Sequence, residues 1–257
     1  MIDLHCHILH GLDDGPKTLK ESLDMARAAV TNGIHTIVAS PHHKNGRYNT
    51  DRNTILQKVD ELNATLKKHG IPLTILPGQE VRLYDEMNVD LQINNLVTIN
   101  GRKRYLLCEL PSSRIPCFTK NVFYELQANQ IIPILVHPER HKVLMNDPDL
   151  LYELVRKGIF TQITASSLTG KFGKSIQKYS FKCIEANLAH VIASDAHDTQ
   201  NRIFQLSEAY ELIRENFGIQ TEFMFKKNAH SIMNGEIFYP EEPLKIKQNI
   251  FSRFLGS

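Results

Sequence analysis

Short runs of branched apolar residues recur along the chain, separated by longer stretches in which apolar positions return every three or four residues. The short runs predict strands over Ile2–Cys6, Thr36–Ser40, Leu73–Leu76, Tyr105–Cys108, Ile131–Val136, Phe160–Ile163 and His190–Ala193. Continuously apolar strands of this kind are buried on both faces. The longer stretches predict helices. Thr18-x-x-Glu21 is a capping-box pattern, with Leu19, Leu23, Ala26 and Val30 at helical spacing behind it. Ile55, Leu56, Val59, Leu62 and Leu66 form a second stripe, and Asp147-Pro148 reads as an N-cap followed by proline at the first helical position. Gly33, Gly70 and Gly158 fall where helices should stop. Such stripes build core and carry no cofactor meaning. Strands alternating with helices in this way predict a parallel α/β fold.

Composition narrows the class. With 257 residues, 42% of them hydrophobic, the chain can form one substantial core, and a single domain over residues 1–257 is expected. Thirty basic against 28 acidic residues leave a net charge of +2, which argues against a nucleic-acid partner. Cys6, Cys108, Cys117 and Cys183 include no close pair and read as reduced thiols of a cytoplasmic protein. No signal-peptide pattern opens the chain, and no apolar run reaches the ~20 residues of a membrane span. The segment Leu244–Ser257 carries Lys245, Lys247 and Arg253 without an acid, interleaved with Ile246, Ile250, Phe251, Phe254 and Leu255. It reads first as a packed or frayed terminus. A basic amphipathic tail also has the chemistry to approach a membrane surface or a partner held there.

The polar residues that interrupt this pattern gather at one kind of place. Strand one ends in His5-x-His7, whose alternation puts both imidazoles on one face, where neutral imidazoles chelate divalent ions. Asp13-Asp14-Gly15 follows. Pro41-His42-His43 follows strand two, Gly78-Gln79-Glu80 strand three, Glu109 strand four, His137-Pro138-Glu139-Arg140 strand five and Ser194-Asp195-Ala196-His197 strand seven. Chemistry in α/β barrels collects at the C-terminal strand ends. Any one of these residues alone is an ordinary loop acid or core histidine, but together they exceed the needs of one ion. Mixed imidazole and carboxylate donors suit manganese, zinc or iron. A site with several ions suits phosphoester hydrolysis, one ion activating water while others neutralise phosphoryl oxygens. Arg140 and Arg202 add guanidinium groups able to grip a phosphate. His35, His69, His141, His190 and His230 lack this placement and read as structural or surface residues.

The motifs Met1-Ile-Asp-Leu-His-Cys-His7, Asp13-Asp14-Gly15, Ser40-Pro-His-His43, Leu76-Pro-Gly-Gln-Glu80, Val136-His-Pro-Glu-Arg140 and Ala193-Ser-Asp-Ala-His197 resemble the polymerase and histidinol phosphatase (PHP) superfamily. The resemblance is closer to its bacterial tyrosine-protein phosphatase branch, associated with capsule and exopolysaccharide synthesis in Gram-positive bacteria. It implies a distorted (β/α)7 TIM-like barrel holding three ions, usually manganese. It further implies one ion on His5, His7, Glu80 and Asp195, a second on Glu80, Glu109 and His137, and a third on Asp14, His42 and His197. Asp13 in place of Asp14, and His43 in place of His42, stay open. The implied substrate is the phosphorylated tyrosine-rich tail of a bacterial tyrosine kinase, with Arg140 and Arg202 serving the phosphate.

Three rival readings stand beside this one. A histidinol-type small-molecule phosphatase would use the same metal logic, and a degenerate barrel would only bind. Cys108-x5-Arg114 spells the pattern of thiol phosphatases, but its loop has no glycine and sets Glu109 beside the would-be nucleophile.

Overall fold

Every predicted apolar run forms a strand, and two further short strands appear where the metal-type motifs lie. The strands are β1 (Ile2–Cys6), β2 (Thr36–Ala39), β3 (His42–His43), β4 (Thr74–Pro77), β5 (Glu80–Arg82), β6 (Tyr105–Glu109), β7 (Ile132–Val136), β8 (Phe160–Thr164) and β9 (Val191–Ala193). The computed structural model describes residues 1–246. Most of the predicted basic tail, residues 247–257, lies outside the described residues. The helices between the strands are α1 (Leu19–Thr31), α2 (Arg52–Lys68), α3 (Met87–Gln92), α4 (Thr119–Ala128), α5 (Lys142–Asn146), α6 (Pro148–Arg156), α7 (Ala165–Leu168), α8 (Lys174–Glu185), α9 (Leu206–Phe217) and α10 (Ile219–Asn234). Among the described residues, no helix is long and apolar enough to cross a membrane.

All strand pairs are parallel, in the orders β1-β2-β4 and β3-β5-β6-β7-β8-β9. The two sheets are one wall. β2 and β3 are a single stave broken at Ser40-Pro41, since proline has no N–H to give to the ladder. β4 and β5 are likewise one stave broken at Gly78-Gln79. Gly78 passes so close to the neighbouring stave that a Cβ there would lie 2.4 Å from Cγ1 of Val38. Hydrogen bonds span both breaks, from Ser40 N–H to Cys6 C=O at 2.9 Å and from Glu80 N–H to Pro41 C=O at 3.1 Å. The wall closes where Asp195 N–H donates to His5 C=O at 2.8 Å and His7 N–H to Ala196 C=O at 2.9 Å. Among the described residues, nine strands less two breaks give the distorted (β/α)7 barrel.

Two layers of core follow from strand alternation. Leu4, Val38, Tyr105, Leu107, Ile134, Val136, Phe160 and Val191 fill the barrel, joined from below by Ala229 and Ile232 of α10. Ile37, Ile75, Leu106, Cys108, Leu135, Ile163 and Ile192 face the surrounding helices. Thr18 caps α1 with the full capping box, as its spacing predicts. Asp147 is the N-cap of α6 with Pro148 behind it, although its side chain makes no capping hydrogen bond. The beginning of the predicted tail packs: Leu244 N–H donates to Ala186 C=O at 2.8 Å, and Ile246 is buried.

Candidate metal centre

On several staves the inward-facing row ends in a polar side chain at the top of the barrel, and on β1 a register shift between Asp3 and Cys6 accompanies the turn of His5 toward it. On β6, Tyr105 and Leu107 face inward, so Glu109 does too; on β8, Phe160 is followed two residues on by Gln162. At the ends of β7 and β9 the chain turns sharply, with His137 at φ 39° and Asp195 at φ 54°. Non-glycine residues at positive φ carry strain of order 1–3 kcal/mol, tolerated where surrounding structure enforces it.

Four donor atoms meet at the centre. His5 Nε2 lies 3.2 Å from His7 Nε2, 3.4 Å from Glu80 Oε2 and 3.5 Å from Asp195 Oδ1. His7 Nε2 lies 3.3 Å from the same Glu80 oxygen and 3.5 Å from the same Asp195 oxygen. Next to them, His42 Nδ1 is 2.8 Å from Glu80 Oε2 and 3.9 Å from Glu109 Oε2, while His137 Nε2 is 2.9 Å from Glu80 Oε1. On the other side, Asp14 Oδ1 lies 3.4 Å from His197 Nε2 and 3.5 Å from His42 Nε2. The three sets of donors converge as His5-His7-Glu80, His42-Glu80-Glu109 and His7-Asp14-His42-His197. All nine residues expected as metal donors thus lie in one cluster. The grouping differs from the expectation in three places: Asp195 stands beside the first set rather than in it, His42 takes the place of His137, whose Nε2 lies on the other Glu80 oxygen, and His7 joins the third set.

The neighbours of the open alternatives have other partners. Asp13 accepts from His7 Nδ1 at 2.6 Å, from Gly15 N–H at 2.9 Å and from His42 N–H at 3.1 Å. His43 turns away, its Nδ1 2.9 Å from Thr50 C=O. Three outer contacts orient imidazoles toward the cluster: Asp13 on His7, Gln162 Oε1 on His5 Nδ1 at 3.0 Å, and the Asp195 carbonyl on His197 Nδ1 at 3.0 Å. Each engages Nδ1 and leaves the Nε2 lone pair pointing inward, the second-shell arrangement usual at metal sites.

The electrostatics of the cluster favour positive charge beside its carboxylates. Against the cost of burial, the charges of His5 and His42 hold Glu80 well below the usual carboxylate range. Arg140, Arg202 and His5 do the same for Asp195. Despite burial, Glu80 and Asp195 raise His5, and Asp13 raises His7 well above an ordinary imidazole. Burial and the nearby Glu80 charge push Glu109 up, and burial with the neighbouring Arg140 and His7 charges brings His137 and His197 down to about 4. Buried Glu80 Oε2, Asp195 Oδ1 and His197 Nε2 have no hydrogen-bond partner. Unpaired buried acceptors are costly, and divalent cations would satisfy all three.

Arg140 and Arg202 both reach Oδ2 of Asp195, Arg202 at 2.8 Å, leaving Oδ1 to the cluster. They border a cleft of about 240 Å³, whose other lining runs from Glu80, Glu109 and His137 to apolar Leu110, Leu135, Val136, Pro138 and Leu144. His141, read from sequence as structural, borders it as well and ties the loop to α5: its Nε2 lies 2.8 Å from Pro111 C=O and its Nδ1 accepts from Leu144 N–H at 3.4 Å.

Sequence patterns related to this chain decide its family. The family described as capsular polysaccharide synthesis, CpsB/CapC, matches residues 1–234. The chain belongs to the CpsB/CapC family. Among its relatives, the tyrosine-protein phosphatase YwqE of Bacillus subtilis is 42% identical over 248 residues, 96% of this chain and 97% of YwqE. The tyrosine-protein phosphatase CpsB of Streptococcus agalactiae is 30% identical over 239 residues, 91% of this chain and 98% of CpsB. The crystal structures of YwqE and of Streptococcus pneumoniae CpsB, described as unique metal-dependent tyrosine phosphatases, include a chain that superposes with a TM-score of 0.94 at 42% identity, covering 96% of this chain and 100% of that one.

Within this CpsB/CapC chain, two polar contributors escape a sequence search for His, Asp and Glu. Gln162 is neutral, though its inward parity with Phe160 marks it. Arg82, whose Nε donates to Glu109 Oε2 at 2.8 Å, lies two residues beyond Glu80 on the same stave. The thiol pattern fails here: Cys108 is fully buried toward the helices and its thiol is pushed up by burial, while Arg114 is exposed in the following loop.

Proposed function

We propose that this chain is a metal-dependent protein-tyrosine phosphatase acting on the phosphorylated tyrosine-rich tail of a bacterial tyrosine kinase, so regulating capsule or exopolysaccharide synthesis from the cytoplasm. The observation that carries this reading is the central set of donors, in which Nε2 of His5 and of His7 lie 3.2 Å apart and each stands 3.3–3.5 Å from Glu80 Oε2 and from Asp195 Oδ1, beside a cleft with two arginines. The donors would hold three ions, with manganese favoured and iron or zinc compatible with the same nitrogen and oxygen set. His5, His7, Glu80 and Asp195 would take one. Glu80 and Glu109 with His42 or His137 would take another, and Asp14, His42 and His197 a third. Bound divalent ions supply an acidified water and neutralise phosphoryl oxygens.

The protein's own groups do the rest. Arg140 and Arg202 face the cleft with N–H donors suited to phosphoryl oxygens. Asp13 and Gln162 hold His7 and His5 in the tautomer that presents Nε2. The apolar half of the cleft excludes water and receives the aromatic ring. A phenolate with pKa near ~10 leaves without a strong general acid, which suits a cleft whose imidazoles are committed elsewhere.

The test compares hydrolysis of a phosphotyrosine peptide and of histidinol phosphate by metal-loaded protein, before and after EDTA, together with an Arg140→Ala variant. Peptide hydrolysis that EDTA abolishes is expected, as is a loss of at least ~100-fold in the arginine variant with metal content kept. Preference for histidinol phosphate would replace the protein substrate with a small one. Metal binding without hydrolysis of either would leave a binding module.

A further inference from the structure

Besides Asp195 of the donor cluster, Arg140 is flanked by two groups that the metal chemistry does not use, Glu139 and Phe172. Its Nη2 donates to Asp195, but that carboxylate oxygen is shared with Arg202 and cannot fix the plane of the guanidinium alone. Its Nε is buried without a hydrogen-bond partner, 3.9 Å from Oε1 of Glu139. Its Cζ stands 5.2 Å from the centre of the Phe172 ring. Glu139 is fully buried, and the same Oε1 accepts from Thr164 N–H at 3.1 Å and from Ser167 Oγ at 2.6 Å. It thereby ties the turn after β7 to the end of β8 and to α7. Phe172 stands in a tight turn closed by Gly173 N–H to Gly170 C=O at 2.9 Å. Both glycines have positive φ, 83° and 96°, and this reversal sets the ring beside the arginine.

We infer that Phe172 and Glu139 are positioning residues for Arg140: the ring supports the face of the guanidinium, the carboxylate its inner edge, and the outer edge is left toward the cleft. Stacking on an aromatic ring occupies the face of a guanidinium while its in-plane N–H donors stay free for an anion. Without that support a long side chain regains its rotamers, and the donors meet the phosphate less often. The inference rests on the reading of Arg140 as a phosphate-binding group given above.

Phe172→Leu, Phe172→Tyr and Glu139→Gln test it in the metal-loaded full-length protein. Leucine keeps an apolar cover, and glutamine keeps an acceptor for Thr164 and Ser167, so the fold is preserved. Five quantities are read: kcat and KM for a phosphotyrosine peptide, the inhibition constant of inorganic phosphate, bound metal and melting temperature. Phe172→Leu and Glu139→Gln are expected to lower kcat/KM about tenfold and to weaken phosphate inhibition by a similar factor. Metal content should hold, and Phe172→Tyr should behave as wild type. Wild-type rates in the leucine and glutamine variants, alongside a collapsed Arg140→Ala, would overturn the inference and leave the role of Arg140 intact. Wild-type rates in Arg140→Ala would instead remove the reading beneath it. Lower activity with lower melting temperature or metal content, but unchanged phosphate inhibition, would mean a purely structural role and also overturn the inference.

Discussion

Oδ2 of Asp13 lies 2.6 Å from Nδ1 of His7 and at the same time accepts the backbone N–H of His42 at 3.1 Å. One carboxylate therefore sets the ring of the first stave and the backbone of the second. Against the cost of burial, the charge of His7 holds Asp13 down at about 2, so it stays a full acceptor throughout the working range of pH. Asp13→Asn keeps the shape but offers His7 a weaker, neutral acceptor. Metal affinity should fall by about 10–100-fold, the usual loss when an outer partner of a metal-ligating histidine is changed. Activity should return at high metal concentration. Titration of the stripped protein with Mn2+ measures this, and an unchanged affinity would mean that Asp13 does not orient a ligand.

His5 is the natural probe of the quartet, since its Nε2 faces three of the other donors within 3.5 Å. His5→Ala should lose bound metal and nearly all turnover. Buried carboxylates left without a cation repel each other, so the metal-free wild type should also melt below the loaded form, with a gap that grows with metal concentration as linkage requires. Metal analysis and thermal unfolding with and without chelator check both points. A His5→Ala protein carrying the full metal complement would contradict the assignment.

Much of this arrangement is legible before folding because the barrel puts all its strand ends at one rim. The strand runs and the helix stops come from local periodicity and capping, and they land within a residue or two. Spacing cannot separate Asp13 from Asp14 or His42 from His43, because adjacent residues leave a loop in directions that only the tertiary contacts decide. Asp13 is drawn inward by His7 and two backbone N–H groups, and His43 by Thr50. Gln162 is hidden for another reason. Its role is to hold His5, and an uncharged residue in a buried strand gives no chemical signal until the stave beside it is known. The breaks at Ser40-Pro41 and Gly78-Gln79 are equally invisible as strand signals, yet they present His42 and Glu80 to the centre.

Cys108 separates the metal reading from the thiol one. It alternates with Leu107 and Glu109 on β6, so when they face inward it must face the helices, where it is fully buried. Burial raises the thiol far from its ordinary value and keeps it from ionising. Cys108→Ser should keep most activity, with a modest loss of stability from placing a hydroxyl among apolar side chains. Turnover with a phosphotyrosine peptide is the check; an inactive but folded serine variant would restore the thiol as nucleophile.

His190, at the opposite end of the barrel, contributes to the acid sensitivity of the fold. Its ring lies flat on Phe160, centroids 4.6 Å apart, and its Nδ1 accepts the N–H of Thr161 at 3.0 Å, which requires an unprotonated nitrogen. Burial holds it down at about 3. In the unfolded chain the same imidazole titrates near ~6.5, so between these values the unfolded state binds the extra proton. The stability from a neutral His190 is therefore complete above pH ~6.5 and is lost as pH falls toward 3, at about 1.4 kcal/mol per unit. By pH 5 that is about 2 kcal/mol. His190→Asn retains an acceptor where Nδ1 stands but has nothing to protonate. It should be less stable than wild type at pH 7, having lost the ring contact, yet lose about 2 kcal/mol less between pH 6.5 and 5. Urea unfolding of both proteins across that range, with metal held constant, decides the matter. Parallel stability curves would show that another group sets the acid sensitivity.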